Sequence, residues 1–213
     1  MKNKIILFDL DGTLIDSTEA ILESFDYAFK SFQRPTPSED AIKAEIGHPL
    51  DVMFETLGVS PEESGAFVDA YKSHYRQIST QKTFLLPFAT EAIEEASKEA
   101  ILGVVTTKTA RYSVILLEHL GLYHFFDVLI GREDVQNPKP DPEPILKALK
   151  ALPTVTGGTW MIGDTCMDMQ SANSAKVHGV GVLSGYGTEE SLKKCTKIVC
   201  ENALESVYFI AKY

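Results

Sequence analysis

Ile5-Ile6-Leu7-Phe8-Asp9-Leu10-Asp11-Gly12-Thr13 stands near the start of the chain and decides how the remainder is read. Four large apolar residues in a row, with no polar alternation, predict a strand buried on both faces, as in a parallel sheet. The run then meets two carboxylates, where a core strand should have none. Asp9 and Asp11 are two apart, so in extended backbone they project to the same side. Gly12 lets the chain turn at low steric cost, and Thr13 adds a hydroxyl and an amide to the turn. Paired acids at the carboxyl end of a central parallel strand stand where open α/β sheets bind ligands.

Working outward, residues 16–32 repeat apolar side chains at three- and four-residue spacing (Ala20, Ile21, Phe25, Ala28, Phe29, Phe32), which predicts a helix. Pro35 and Pro37 break it, and further helical pieces follow at about 38–46, 49–57 and 62–78. The last opens on Ser60-Pro61-Glu62-Glu63, a capping-box pattern with proline at the first helical position. From Pro87 onward helix and strand alternate. Strands are expected at 102–105, 128–130, 160–162, 177–183 and 198–199, and helices at 90–100, 110–120, 142–152 and 168–176. The predicted fold is α/β: a Rossmann-like, doubly wound parallel sheet core. Nothing between 16 and 83 resembles a buried parallel strand, so residues 16–83 are expected to form a small helical domain inserted into a core made of 1–15 and 84–213.

The totals narrow the function. With 213 residues, 44% hydrophobic and 23% charged, the composition is that of a soluble globular protein. A net charge of −10 argues against a nucleic-acid or anionic-membrane partner and would repel anionic substrates at long range. An anion site must then be built locally. No segment approaches the length of a membrane span, and the N-terminal apolar run is too short for a signal peptide. Cys166, Cys195 and Cys200 contain no Cys-x-x-Cys pair, which fits a reducing, cytoplasmic setting better than a disulfide framework. Cys195 and Cys200 are expected to be near neighbours. Monomer and homodimer both stay open.

Three further stretches follow predicted strands. Thr106, Thr107 and Lys108 come after the second; a hydroxyl and an amide there can donate to a phosphate oxygen, or a threonine can simply cap the next helix. In Asn137-Pro138-Lys139-Pro140-Asp141-Pro142, three prolines restrict the backbone around one ammonium group. In Gly163-Asp164-Thr165-Cys166-Met167-Asp168, an apolar strand again runs into a carboxylate, with a second acid four residues on.

Taken in this order, the Asp-Leu-Asp-Gly-Thr-Leu, strand-end threonine, Lys-Pro-x-Pro and Gly-Asp-x-x-x-Asp motifs resemble those of the haloacid dehalogenase-like superfamily, across nearly the whole chain. The resemblance implies a helical cap over the site of a magnesium-dependent phosphohydrolase of the phosphoglycolate phosphatase type, acting on a small phosphorylated metabolite. It implies Asp9 as nucleophile, Asp11 as general acid and base, and Lys139 as the charge that offsets the crowded acids. Magnesium would take Asp9, Asp164 and the backbone carbonyl of Asp11, with Asp168 orienting a metal-bound water or Lys139. Thr106, Thr107, Lys108 and, on the cap, His48 are candidate substrate contacts, with Lys43 and Arg76 as more remote ones. A sugar-phosphate mutase or a pyrophosphatase would use the same core. Two departures stand out: Thr107 replaces the usual asparagine, and Lys176 falls where the family often has glycine.

Overall fold

The computed structural model describes residues 2–213. The chain divides into two compact units, Ser17–Phe84 and a second made of the residues up to Asp16 with Leu85–Tyr213. Each junction lies one residue beyond the boundary expected from the sequence.

In the larger unit the elements are β1 (Lys4–Phe8), β2 (Ile15–Asp16), β3 (Phe84–Leu85, whose first residue belongs to the smaller unit), α5 (Ala89–Glu99), β4 (Ala100–Val105), α6 (Ala110–His119), β5 (Val128–Ile130) and α7 (Glu143–Ala151). They continue with β6 (Thr159–Gly163), α8 (Cys166–Ser174), β7 (His178–Val182), α9 (Glu189–Cys195), β8 (Val199–Cys200) and α10 (Ala203–Ala211). Six strands form one sheet in the order β5-β4-β1-β6-β7-β8, and all five pairings are parallel. β1 lies centrally because every residue of it is buried. Its side chains alternate between two cores: Ile6 and Phe8 join Ala92, Ile93, Val207 and Ile210 on one face. Ile5 and Leu7 join Ile145, Ala148 and Met161 on the other. A strand covered on both faces has no polar face to show, hence its unbroken apolar run.

The smaller unit contains α1 (Thr18–Ser31), α2 (Glu39–Ala44), α3 (Leu50–Thr56) and α4 (Pro61–Ile78). Its core is aromatic: Phe25 lies 4.5 Å from Phe54 and 5.1 Å from Tyr71, and Phe29 lies 5.3 Å from Phe67. Offset and edge-on rings of this kind add stability beyond their buried area. Phe32, expected on the buried face of α1, is 42% exposed, although it still stacks on Phe67 at 4.3 Å. The Ser60 capping box also differs from expectation. The Ser60 hydroxyl donates to the Glu63 carboxylate at 3.0 Å rather than accepting from the helix backbone.

α9 and α10 have no counterpart in the sequence reading, although Asn202 before Ala203, Val207 and Ile210 was a usable signal. Asn202 Oδ1 accepts from the Glu205 amide at 3.0 Å, a standard N-cap, and those three apolar residues are buried. α9 explains a second correction. Cys166 and Cys195 are joined in a disulfide, with Cα atoms 5.6 Å apart, and Cys200 is the free thiol. The expectation of free thiols in a reducing setting is corrected for this pair, because α9 brings its last residue to the first residue of α8. The link crosses 29 residues of sequence, a closure that in the chain-entropy picture contributes about 3–4 kcal/mol. Among the described residues, no helix is long and apolar enough to cross a membrane.

Lys176 adopts φ 60°, a left-handed conformation in which a Cβ costs roughly 1–2 kcal/mol. Lys176→Gly should therefore raise stability by about 0.5–1 kcal/mol after the extra freedom of glycine in the unfolded chain is counted. A urea midpoint that stays put or falls would show that the surroundings already relieve the strain.

Candidate active site

Three parallel strands end together at this site. Phe8 of β1 is aligned with Val104 of β4 and Ile162 of β6. The ladder continues one residue further: the Asp9 amide donates to Ile162 O at 2.8 Å, and the Thr106 amide donates to Ile130 O at 2.9 Å. Asp9, Thr106 and Asp164 thus leave the sheet at the same end, on neighbouring strands, beside the point where the winding changes direction.

Lys139 reaches this point from the proline-rich loop before α7. Its ammonium donates to Asp9 Oδ1 at 2.8 Å, to Asp168 Oδ1 at 2.5 Å and to the carbonyl of Val105 at 3.0 Å. All three of its protons are used, and the residue is only 4% exposed. The loop is itself anchored. Glu143 accepts from the amides of Gln136 and Asn137, both at 2.9 Å, and Ser171 on α8 donates to Asp141 O at 2.7 Å.

Asp168 has both oxygens engaged. Oδ1 takes Lys139, and Oδ2 accepts from the Thr165 amide at 3.0 Å and the Thr165 hydroxyl at 2.6 Å. Its carboxylate holds Lys139 in place. Asp164 is fully buried, with Oδ2 accepting from the Tyr186 amide at 2.7 Å and Oδ1 receiving a long bond from Thr13 Oγ1 at 3.4 Å. The carboxylates of Asp9, Asp164 and Asp168 each bring an oxygen within 4.8 Å of the others. The Asp11 carboxylate lies outside that group and pairs with Lys108 Nζ at 3.1 Å.

At the end of β4, the Thr106 hydroxyl accepts from the Lys108 amide at 3.2 Å. The α6 N-terminus is capped by Glu133, which accepts from the amides of Ala110 at 2.8 Å and Arg111 at 3.4 Å, with no side-chain cap from Thr109. Thr107 lies between Thr106 and Lys108, half-buried. Three other candidates belong to the helical unit. His48 sits in the turn between α2 and α3, its amide donating to Glu45 O at 3.1 Å. Lys43 pairs with Glu39, and Arg76 Nε donates to Lys72 O at 3.0 Å. Sequence reasoning missed Thr165, Glu143, Glu133 and Tyr186: the capping-box spacing Thr165-x-x-Asp168 was a usable signal for the first, whereas the other three act through backbone amides that no spacing rule marks.

Three buried carboxylates face one ammonium, which leaves an excess of negative charge out of water. Burial pushes the Asp9 carboxyl up to about 6, against the pull of Lys139, and burial followed by the charges of Asp168 and Asp9 holds Asp164 well above the carboxylate range. Burial works against the charge on Lys139, yet Asp168 and Asp9 outweigh it and raise its pKa. At about 4 Å, two like charges repel by roughly 4 kcal/mol at an effective dielectric of 20. A hard divalent cation with oxygen ligands relieves that repulsion, and this all-carboxylate donor set fits one.

Lys139→Met should destabilise the protein by roughly 3–5 kcal/mol near pH 7, because it strands buried carboxylates. The deficit should shrink toward about pH 5 as those carboxyls protonate; a deficit independent of pH would sink the charge argument. The folded-state pKa of Asp9 lies above its unfolded value. Its contribution to stability is therefore fully present below pH 3.8 and is lost as pH rises through about 6. In chelator-treated protein, Asp9→Asn is expected to lessen that loss in a pH series of thermal melts.

Comparison with known proteins gives the family of the chain. Residues 6–182 match the family model described as haloacid dehalogenase-like hydrolase. A phosphoglycolate phosphatase of Salmonella choleraesuis is 29% identical over 211 residues, covering 88% of this chain and 84% of the relative. A Dickeya dadantii protein named "Probable phosphatase IndB" is 34% identical over 195 residues, covering 89% and 85%. A haloacid dehalogenase-like family hydrolase from Streptococcus pneumoniae superimposes with a TM-score of 0.85 at 28% identity, covering 98% of each chain. The parallel sheet, the acids at its strand ends and the match over most of the length agree: the chain belongs to the haloacid dehalogenase-like hydrolase family.

Proposed function

We propose that this hydrolase is a magnesium-dependent phosphatase that cleaves a small phosphorylated metabolite, a phosphoglycolate-type monoester, through an aspartyl-phosphate. The observation that carries the reading is the buried ammonium of Lys139, held 2.8 Å from Asp9 in a cluster that also contains Asp164. Phosphatase relatives at similar coverage support the same chemistry.

A phosphate monoester is a dianion, so a carboxylate nucleophile is repelled unless cations offset the charge. Asp9 and Asp164, with the backbone carbonyl of Asp11, would hold magnesium, which supplies the positive charge that steadies the phosphoryl oxygens. Asp9 attacks phosphorus; the new bond joins one of its carboxylate oxygens to phosphorus as the bond to the leaving oxygen breaks. Asp11 gives its proton to that leaving oxygen. It then takes a proton from the water that attacks phosphorus and releases Asp9. Such acid–base assistance contributes typically 10²–10⁴-fold. Lys108, 3.1 Å from the Asp11 carboxylate, fixes its direction, and Lys139 keeps Asp9 aimed while lowering the local negative charge. Thr106, Thr107 and Lys108 stand at the end of β4, suited to hold the remaining phosphoryl oxygens.

Phosphate release from p-nitrophenyl phosphate should require magnesium and stop with chelator. Asp9→Asn should lower kcat by at least about 10³-fold while the protein remains folded. Comparing kcat/KM for 2-phosphoglycolate, pyrophosphate and sugar phosphates then tests the substrate class. Normal turnover by Asp9→Asn would remove the nucleophile from this scheme.

A further inference from the structure

We infer that Ser184-Gly185-Tyr186-Gly187, the loop after β7, is a positioning element that occupies one oxygen of the Asp164 carboxylate and so turns the other toward the cation. The inference rests on the metal-dependent reading above and adds a loop that none of the four motifs contains.

On its Oδ2 side Asp164 lies against glycine backbone. A Cβ at Gly185 would stand 2.1 Å from Asp164 Oδ2 and 2.6 Å from the Cα of Gly12. A Cβ at Gly12 would stand 2.3 Å from the same oxygen, and one at Gly187 would stand 2.0 Å from the Asp164 carbonyl. Two bare backbones therefore close on Oδ2, and the Tyr186 amide donates to it at 2.7 Å. Ser184 holds the loop against the first motif, its hydroxyl donating to Gly12 O at 2.9 Å. The opposite oxygen, Oδ1, receives the long 3.4 Å contact from Thr13. A carboxylate with one oxygen locked in this way presents the other in a fixed direction, which lowers the cost of ordering it around an ion. Gly12 has φ +80°, so its backbone alone favours glycine there. Gly185 does not have a left-handed backbone, so at this position only the lack of space excludes a side chain. Gly185→Ala therefore keeps a backbone conformation open to alanine but presses on both Asp164 and the Gly12 backbone, whereas Ser184→Ala only loosens the loop.

The test uses the full chain and magnesium alone as probe. The rise in melting temperature is titrated with magnesium for wild type, Gly185→Ala and the milder Ser184→Ala. The midpoint should move to 10–100-fold higher magnesium in Gly185→Ala, in line with the usual effect of disturbing a group that orients a metal ligand, and by a few-fold in Ser184→Ala. With magnesium saturating, kcat of Ser184→Ala should return to within a few-fold of wild type, because its hydroxyl bonds to the Gly12 carbonyl and to none of the reacting groups. If either folded variant melts lower without metal yet keeps the wild-type magnesium midpoint, the loop is merely structural and the inference is overturned. Should Gly185→Ala fail to fold, the Ser184→Ala midpoint decides. If wild type shows no magnesium-dependent rise at all, the metal-dependent reading itself fails, an outcome distinct from a variant that matches a responsive wild type.

Discussion

An ammonium group with no access to water, holding two carboxylates and a backbone carbonyl, is the constraint on which the rest of the larger unit depends. Lys139 can be buried only because every proton it carries finds an oxygen. Asp9 and Asp168 can be buried beside it only because its charge is present. Such a group is strongly destabilising if one partner is lost, since the others have no water to turn to. The fold therefore anchors the lysine from several directions: three prolines restrict its loop, Glu143 ties down the loop's amides, and Ser171 binds it to α8.

The same logic accounts for the carboxylates that Lys139 does not satisfy. Excess negative charge at the ends of β1 and β6 would weaken an ordinary core. Here it collects at one end of the sheet, where the central strand β1 and its neighbour β6 finish. The stability of the unit comes from the two apolar faces of β1, which can carry a locally unfavourable cluster. A site that repels itself when empty is suited to bind a cation and, through it, an anionic substrate that the net charge of the chain would otherwise turn away.

Several details around this cluster share one form: a polar group is held by backbone close by, not by a distant side chain. Thr165 grips Asp168 from three residues away, the Thr106 hydroxyl takes the Lys108 amide two residues on, and the Tyr186 amide meets Asp164. Backbone donors in turns cannot swing away as side chains can, so they keep directions that a catalytic cluster needs.

Much of this protein could be read before any coordinates, and the reason is periodicity. The apolar runs of β1, β4 and β6 and the three- and four-residue spacing of α1, α4 and α7 are local facts that burial imposes on sequence. The acids and the lysine stood out because they interrupt those runs or sit among prolines. What only tertiary structure decided was which atoms meet. That Asp168 meets Lys139, that Asp11 turns to Lys108, that Cys166 bonds Cys195, and that Gly185 lies against Asp164 all depend on distances across many residues of chain. Spacing along a sequence constrains neighbours on one helix or strand; it carries no information about the separation of two strand ends until the sheet between them has formed.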